Sequence, residues 1–357
     1  MKFQFLSFLL AVAVLMAPGR GGAAQDQFPF QIFDRYLGPL IQQIGMPGLS
    51  AVILQKGQTV WEKYYGYADV ENQIPTSSRT LYPVGGITQA MTGVLVGVCA
   101  DRYFFPVDQD IRAFDPAFPV ADTSVRQVLA HATGGRFRYD PVLFQSLTPV
   151  VEHCTKQAFR QALATEVLDR LALQNSVPGL DLDRAEGAAA RELFTPAAVE
   201  RYQRLLANVA VPYRIDAKGR SFRSEYPQFS LDAASGLVAT ASDLAKFEGE
   251  LDKRNGVPLS FSTLNQMWSN ARFNVNNVQI EMPTGLGWFV TMESNQRLVW
   301  TFGHLRDASS ALIVKMPSRQ LTLILVANSG GLAQGYDLEN ANVTSSPFVK
   351  IFLRLFI

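Results

Sequence analysis

Chemistry in this chain would have to come from few residues. There are three histidines, His131, His153 and His304, and two cysteines, Cys99 and Cys154. The histidines lie far apart, and no cluster of Cys, His and carboxylates has metal-ligand spacing, so neither a metal site nor a cofactor is expected. A serine nucleophile needs a base within reach. Ser-x-x-Lys supplies one by placing serine and lysine one turn apart on one helix face, and Gly-x-Ser-x-Gly supplies a strained, exposed serine. Neither pattern occurs. The closest approach, Ala327-Asn328-Ser329-Gly330-Gly331, lacks the first glycine and falls in a strand-end turn. Cys99 sits in an apolar helical stretch with Val94, Leu95, Val96 and Val98, and reads as a buried free thiol. Export would permit a disulfide with Cys154, but spacing alone does not bring the two together.

The 357 residues are 48% hydrophobic and 18% charged, enough apolar material for a large core. A formal net charge of +1 supplies no field for nucleic acid or an anionic membrane. Residues 1–24 read as a signal peptide: Lys2, an apolar run from Phe3 to Ala17, then Gly22-Ala23-Ala24 at the cleavage site. That run is short of the roughly 20 residues that span a bilayer. No later segment is long and apolar enough to span one, so a secreted or periplasmic protein without a transmembrane helix is expected.

Ile32, Phe33, Tyr36, Leu37, Leu40, Ile41 and Ile44 recur at helical spacing, and Met46-Pro47-Gly48 ends that helix. Leu49–Leu54 and Thr59–Tyr65 flank a Gly-containing turn and read as a hairpin. Ala311–Met316 and Leu321–Val326 form a second hairpin. A final helix carries Phe348, Ile351, Phe352 and Leu355 on one face. The middle of the chain is helical over 88–101, 125–132, 158–173 and 196–207, the last opened by Thr195-Pro196 as cap and first helical residue. The polar, Ala-rich stretch 181–191 reads as a surface excursion. Strands at both ends with helices between imply an α+β fold with one sheet built from both termini.

The order of several short motifs resembles the serine β-lactamase and penicillin-binding protein family, which includes class C β-lactamases, D-alanyl carboxypeptidases and esterases. The opening Pro47-Gly48-Leu49-Ser50-Ala51-Val52, then Gly66-Tyr67-Ala68-Asp69 and Thr80-Leu81-Tyr82, is similar to the start of that family. Val125 to Gly134 resembles its RxLLTHTSG stretch, Ser235 to Phe247 its GGLxSTAxDLAxF stretch, and Gly285-Leu286-Gly287-Trp288 its YGLGW. Gly303-His304 and Val326-Ala327-Asn328 match its last two strands. The resemblance covers nearly the whole chain after residue 28. It implies a β-lactamase/transpeptidase-like fold: an antiparallel sheet from both chain ends flanked by helices, an all-helical subdomain, and a cleft between them. Residues 28–357 would form one domain, about 28–85 and 280–357 its α/β part and about 86–279 its mainly helical part.

The resemblance also locates the family's catalytic positions. The serine position is Gly86 and the lysine position is Gln89: no nucleophile, and a neutral amide for a base. Thr88 lies two residues beyond Gly86, about 200° around the helix, and should point away from the cleft. In the second motif, Tyr-x-Asn, Tyr139 is kept and Pro141 replaces the amide. In the third, Lys-Thr-Gly or His-x-Gly, His304 is kept and Arg306 replaces the glycine, either to fill the cleft or to bind an anionic group. Loss of the nucleophile alone removes on the order of 10⁶ in turnover from a serine hydrolase. The expected function is therefore a non-catalytic binding or accessory protein holding a small peptide or acyl ligand in the cleft. The alternative is a hydrolase with relocated chemistry, Tyr139 and His304 acting as acid and base on a bound water.

Overall fold

The computed structural model describes residues 28–228 and 230–357. The signal-peptide reading over residues 1–24 lies outside them. Helix α1 (Phe28–Ile44) buries Phe33, Leu37 and Ile41 at the expected spacing, and Gly45 at φ +82° turns the chain into strand β1. Strands β1 (Gly48–Gln55) and β2 (Gln58–Asp69) form the first hairpin, and β3 (Ile74–Pro75) extends it. From the far end of the chain come β4 (Phe289–Glu293), β5 (Gln296–Leu305), β6 (Ser309–Met316) and β7 (Leu321–Ala327). These strands make one antiparallel seven-stranded sheet in the order β4-β5-β6-β7-β1-β2-β3, closed at its centre by Leu49 opposite Ala327 through Gln55 opposite Leu321.

Alternation along the strands divides the core. Leu49, Ala51, Ile53, Trp300, Phe302, Leu312, Val314, Leu323 and Leu325 face α1 and the last helix, α6 (Pro347–Phe356). Val52, Leu54, Val299, Ala311, Ile313, Ile324 and Val326 face the helical part of the chain. At the centre of that second core lies α2 (Ile87–Tyr103), buried at every position from Ile87 to Cys99. A helix apolar all round belongs inside a protein, and this one is wedged between the sheet and the other helices. Among these are α3 (Leu147–Thr155), α4 (Pro196–Leu206) and α5 (Ala241–Asp252). Thr195 caps α4 as expected, its hydroxyl accepting from the Ala198 amide.

The structure corrects several expectations. Cys99 is not a free thiol: it bonds to Cys154, with Cα atoms 6.0 Å apart, because α3 packs against α2 and brings the end of one helix beside the other. An apolar helical run predicts burial and is silent about what lies across the interface. The expected helix over 158–173 is α-helical only from Phe159 to Leu163 and widens into π-helical turns over Ala164–Asp169. The helix over 125–132 stops at Leu129, and His131 takes a left-handed backbone with φ +50°. The stretch 181–191 is anchored, not a free excursion. Leu182 is buried, and Asp181 accepts a bidentate pair from buried Arg160 at 2.8 and 2.9 Å. In α6 the buried face is Phe348, Val349, Phe352 and Leu353, rotated from the expected one because Phe356 closes against Phe30 and Phe33. No described helix is long and apolar enough to cross a membrane.

Candidate active site

Gly86 stands at the N-terminus of α2, directly against β5. Any Cβ there would lie 2.6 Å from the Phe302 carbonyl oxygen and 3.0 Å from the Tyr139 hydroxyl. A Cβ on Gly303 of β5 would lie 1.8 Å from the Val84 carbonyl. Helix terminus and strand approach so closely because both glycines lack a side chain. A serine at position 86 would need the backbone to move before its hydroxyl could be placed.

One turn into α2, buried Gln89 is held at both ends. Its Nε2 donates to the Tyr139 hydroxyl at 3.1 Å, and its Oε1 lies 3.1 Å from His131 Nε2. The Asp140 amide donates to His131 Nδ1 at 3.2 Å. That contact fixes the roles. Nδ1 is an acceptor, so the ring hydrogen sits on Nε2 and points at the amide oxygen, which leaves the amide nitrogen for Tyr139. The chain of bonds from Asp140 through His131 and Gln89 to Tyr139 contains neutral groups only, and the left-handed backbone of His131 aims its ring into it.

Burial shapes the chemistry of both rings. It pushes the His131 imidazole down to about 3, against a smaller upward pull from Asp140. It pushes the Tyr139 phenol up, against a smaller downward pull from the Gln89 hydrogen bond. Neither is a base at neutral pH: the imidazole has both nitrogens occupied and the phenol keeps its proton. Aromatic rings close the surroundings. Tyr139 packs against Phe302 at 5.1 Å and Phe289 at 5.9 Å, and His131 stacks on Phe144 at 5.0 Å.

Of the residues expected from the sequence, Gly86, Gln89 and Tyr139 come together. Thr88 points elsewhere: its hydroxyl donates to the Gly85 carbonyl at 2.8 Å and accepts from the Leu237 amide at 3.3 Å. His304 shares the sheet face of Phe302, and no hydrogen bond joins it to Tyr139 among the described residues. Its Nε2 is buried without a partner, and a Cβ on Gly330 would lie 3.2 Å from it. Burial and Arg306 hold the His304 imidazole below its usual range, with Glu339 and Asp307 pulling the other way. Arg306 does not fill the cleft. It is exposed on the turn between β5 and β6, and the space beside Gly86 is taken by the Phe302 carbonyl and the aromatic rings. Together with His304 it lines a separate pocket of about 440 Å³.

The beta-lactamase family model matches residues 33–346. The chain belongs to the beta-lactamase family. Among curated relatives of this family member, the serine beta-lactamase-like protein LACTB, mitochondrial, of Bos taurus is 26% identical over 101 residues, 26% of this chain and 18% of that one. The beta-lactamase of Escherichia coli K12 is 35% identical over 85 residues, 24% of this chain and 22% of that one. This chain thus spans under a quarter of the length of either relative. Among solved structures, the octameric penicillin-binding protein homologue from Pyrococcus abyssi superposes with a TM-score of 0.69 at 17% identity, over 85% of this chain and 74% of that one. SurE superposes with a TM-score of 0.67 at 20% identity, over 94% and 77%. Identities this low establish the β-lactamase/penicillin-binding-protein-like fold and nothing finer.

His131 stands inside the Val125 to Gly134 stretch, and its signal in the sequence is a lone histidine between two alanines where the expected helix ends. Phe302 and Phe289, which close the site, carried no signal beyond strand alternation.

Proposed function

We propose that this chain is an exported, non-catalytic member of the family that uses the scaffold to bind a small peptide or acyl ligand and not to acylate. The observation that carries this reading is at Gly86, where a carbonyl oxygen stands 2.6 Å from the only place a nucleophile's first carbon could go. The neutral chain through Gln89 supports it, because a lysine amine in that position would have to lose its charge or break the bonds to His131 and Tyr139. The Cys99–Cys154 disulfide supports an oxidising compartment, as does the leader-like composition of residues 1–24. The competing reading, hydrolysis with Tyr139 as acid and His304 as base, needs both rings to act on one water. Burial makes the Tyr139 phenol a weaker acid, and no hydrogen bond joins it to His304 among the described residues, which weighs against it.

Intact-protein mass after incubation with acylating β-lactam and ester probes tests the reading, beside an active family control. The expected result is an unchanged mass. A stoichiometric adduct mapping to α2 or β5 would make this a working acyl-transfer enzyme and overturn the proposal.

A further inference from the structure

A second cavity lies at the opposite end of β5 from His304, on the order of 20 Å away along the strand. Its volume of about 450 Å³ falls within the range of small-ligand sites, roughly 300–1,000 Å³. Four separate parts of the chain build it: the short helix Val125–Leu129, the segment that closes the helix Phe261–Met267, the turn before β4 and the start of β5. Leu286 supplies a buried apolar wall. The rest is polar and one-sided in charge. Arg126, Arg272 and Arg297 line the cavity, and no carboxylate does. In a chain with a formal net charge of +1 this is a local excess, and three cations around one cavity repel one another unless an anion enters.

The three arginines are committed to different degrees. Arg126 donates to Asp108 at 2.6 and 3.1 Å and to Gln266 Oε1 at 3.1 Å, which leaves the Gln266 amide nitrogen as a donor. Arg272 pairs with Glu281 at 2.8 Å. Both carboxylates stand outside the cavity, with side chains 70% and 50% exposed, so solvent screens these pairs and they hold the guanidinium groups weakly. Arg297 has no ion pair, and the Ser269 hydroxyl no hydrogen bond, among the described residues. A carboxylate carries one charge and is matched by one guanidinium. A phosphomonoester or diphosphate carries more charge, on oxygens that accept from several directions at once.

We propose that this cavity binds the phosphate or diphosphate group of a small molecule, with Arg126, Arg272 and Arg297 on its charge and Gln266 and Ser269 adding neutral hydrogen bonds. The site stands whether or not the chain acylates, since it shares no residue with the Gly86 region.

The test is calorimetric titration of the folded chain at low ionic strength with inorganic pyrophosphate, beside inorganic phosphate and acetate. Pyrophosphate should bind at submillimolar concentration, phosphate about tenfold more weakly, and acetate without measurable heat. Arg297→Ala should weaken pyrophosphate binding about tenfold, and Arg297→Lys should recover part of the loss. Arg297 is exposed, so both variants should melt as the parent does. Asp108→Asn with Glu281→Gln releases two guanidinium groups and should change affinity in the opposite direction. Flotation with phosphatidylcholine vesicles containing phosphatidic acid separates the two sources of such a group. Vesicle binding lost in Arg297→Ala assigns the phosphate to a lipid headgroup, and pyrophosphate binding without vesicle binding assigns it to a soluble molecule. No binding of pyrophosphate at millimolar concentration overturns the proposal. So does binding that Arg297→Ala leaves unchanged, or acetate binding as tightly as pyrophosphate.

Discussion

The hairpin of β5 and β6 has buried polar groups of opposite kinds beside it. Against Phe302 of β5 lies the neutral chain of imidazole, amide and phenol. Near the end of β6, on the face that meets α5, Lys315 is fully buried. Its Nζ lies 2.9 Å from Glu248 Oε2, 2.6 Å from Asp252 Oδ1 and 4.2 Å from the centre of the Trp268 ring. Burial drives the Glu248 carboxyl upward against the downward pull of Lys315. One sheet therefore holds a lysine in its core between two carboxylates, yet the groups around Gln89 are neutral. The difference teaches that the neutral site is not a general intolerance of buried charge in this scaffold. It follows from a glutamine at position 89 whose two ends already have partners.

Breaking the charged end should have the largest effect. Lys315→Met leaves two carboxylates facing apolar surroundings and should lower unfolding free energy by about 3–5 kcal/mol, read by urea denaturation. Replacing all three, Lys315→Met with Glu248→Leu and Asp252→Leu, should recover most of that loss. If the triple variant is as unstable as the single one, the ion cluster does not account for the loss.

The neutral end should be broken by acid. His131 titrates at about 3 when folded and near 6.5 when unfolded. The unfolded chain therefore binds more protons between those values. Stability contributed by neutral His131 is fully present above pH 6.5 and is lost as pH falls toward 3. At 1.36 kcal/mol per pH unit, the loss from pH 6.5 to 4.5 is about 2–3 kcal/mol. His131→Phe keeps the stack on Phe144 but has no proton to gain. It should start lower at pH 7 for want of its hydrogen bonds, and its stability should then fall less over that range. Parallel profiles for parent and variant would place the acid sensitivity elsewhere.

The same contrast explains what was legible in the sequence. Both hairpins, α1, α2 and α4 could be read because alternation and helical periodicity are local, and the order of motifs placed the fold. Gly86, Gln89 and Tyr139 could be singled out because the family resemblance gives their offsets along the chain, and the structure brings them together. Residues whose role depends on contacts across the fold were not legible. The pairing of Cys99 with Cys154 needed the approach of α3 to α2. The place of His131 needed a left-handed turn, and the outward position of Arg306 needed the turn it sits on. Lys315 read only as one strand residue among apolar neighbours, since its partners lie more than sixty residues earlier on α5.

Introducing a serine at position 86 and a lysine at position 89 sharpens the comparison most finely. Gly86→Ser adds a side chain where the Phe302 carbonyl already stands, and overpacking of this kind costs about 1–3 kcal/mol. Adding Gln89→Lys should lower stability further, since the new ammonium would meet the imidazole and phenol without a carboxylate, unlike Lys315 between Glu248 and Asp252. Neither the single nor the double variant should form an acyl adduct with a β-lactam, because residue identity alone does not move β5 away from α2. Thermal melts and intact mass on the same samples read both effects. An adduct on the introduced hydroxyl at undiminished stability would mean that the strand yields easily, and that the site is closed by its side chains and not by its backbone.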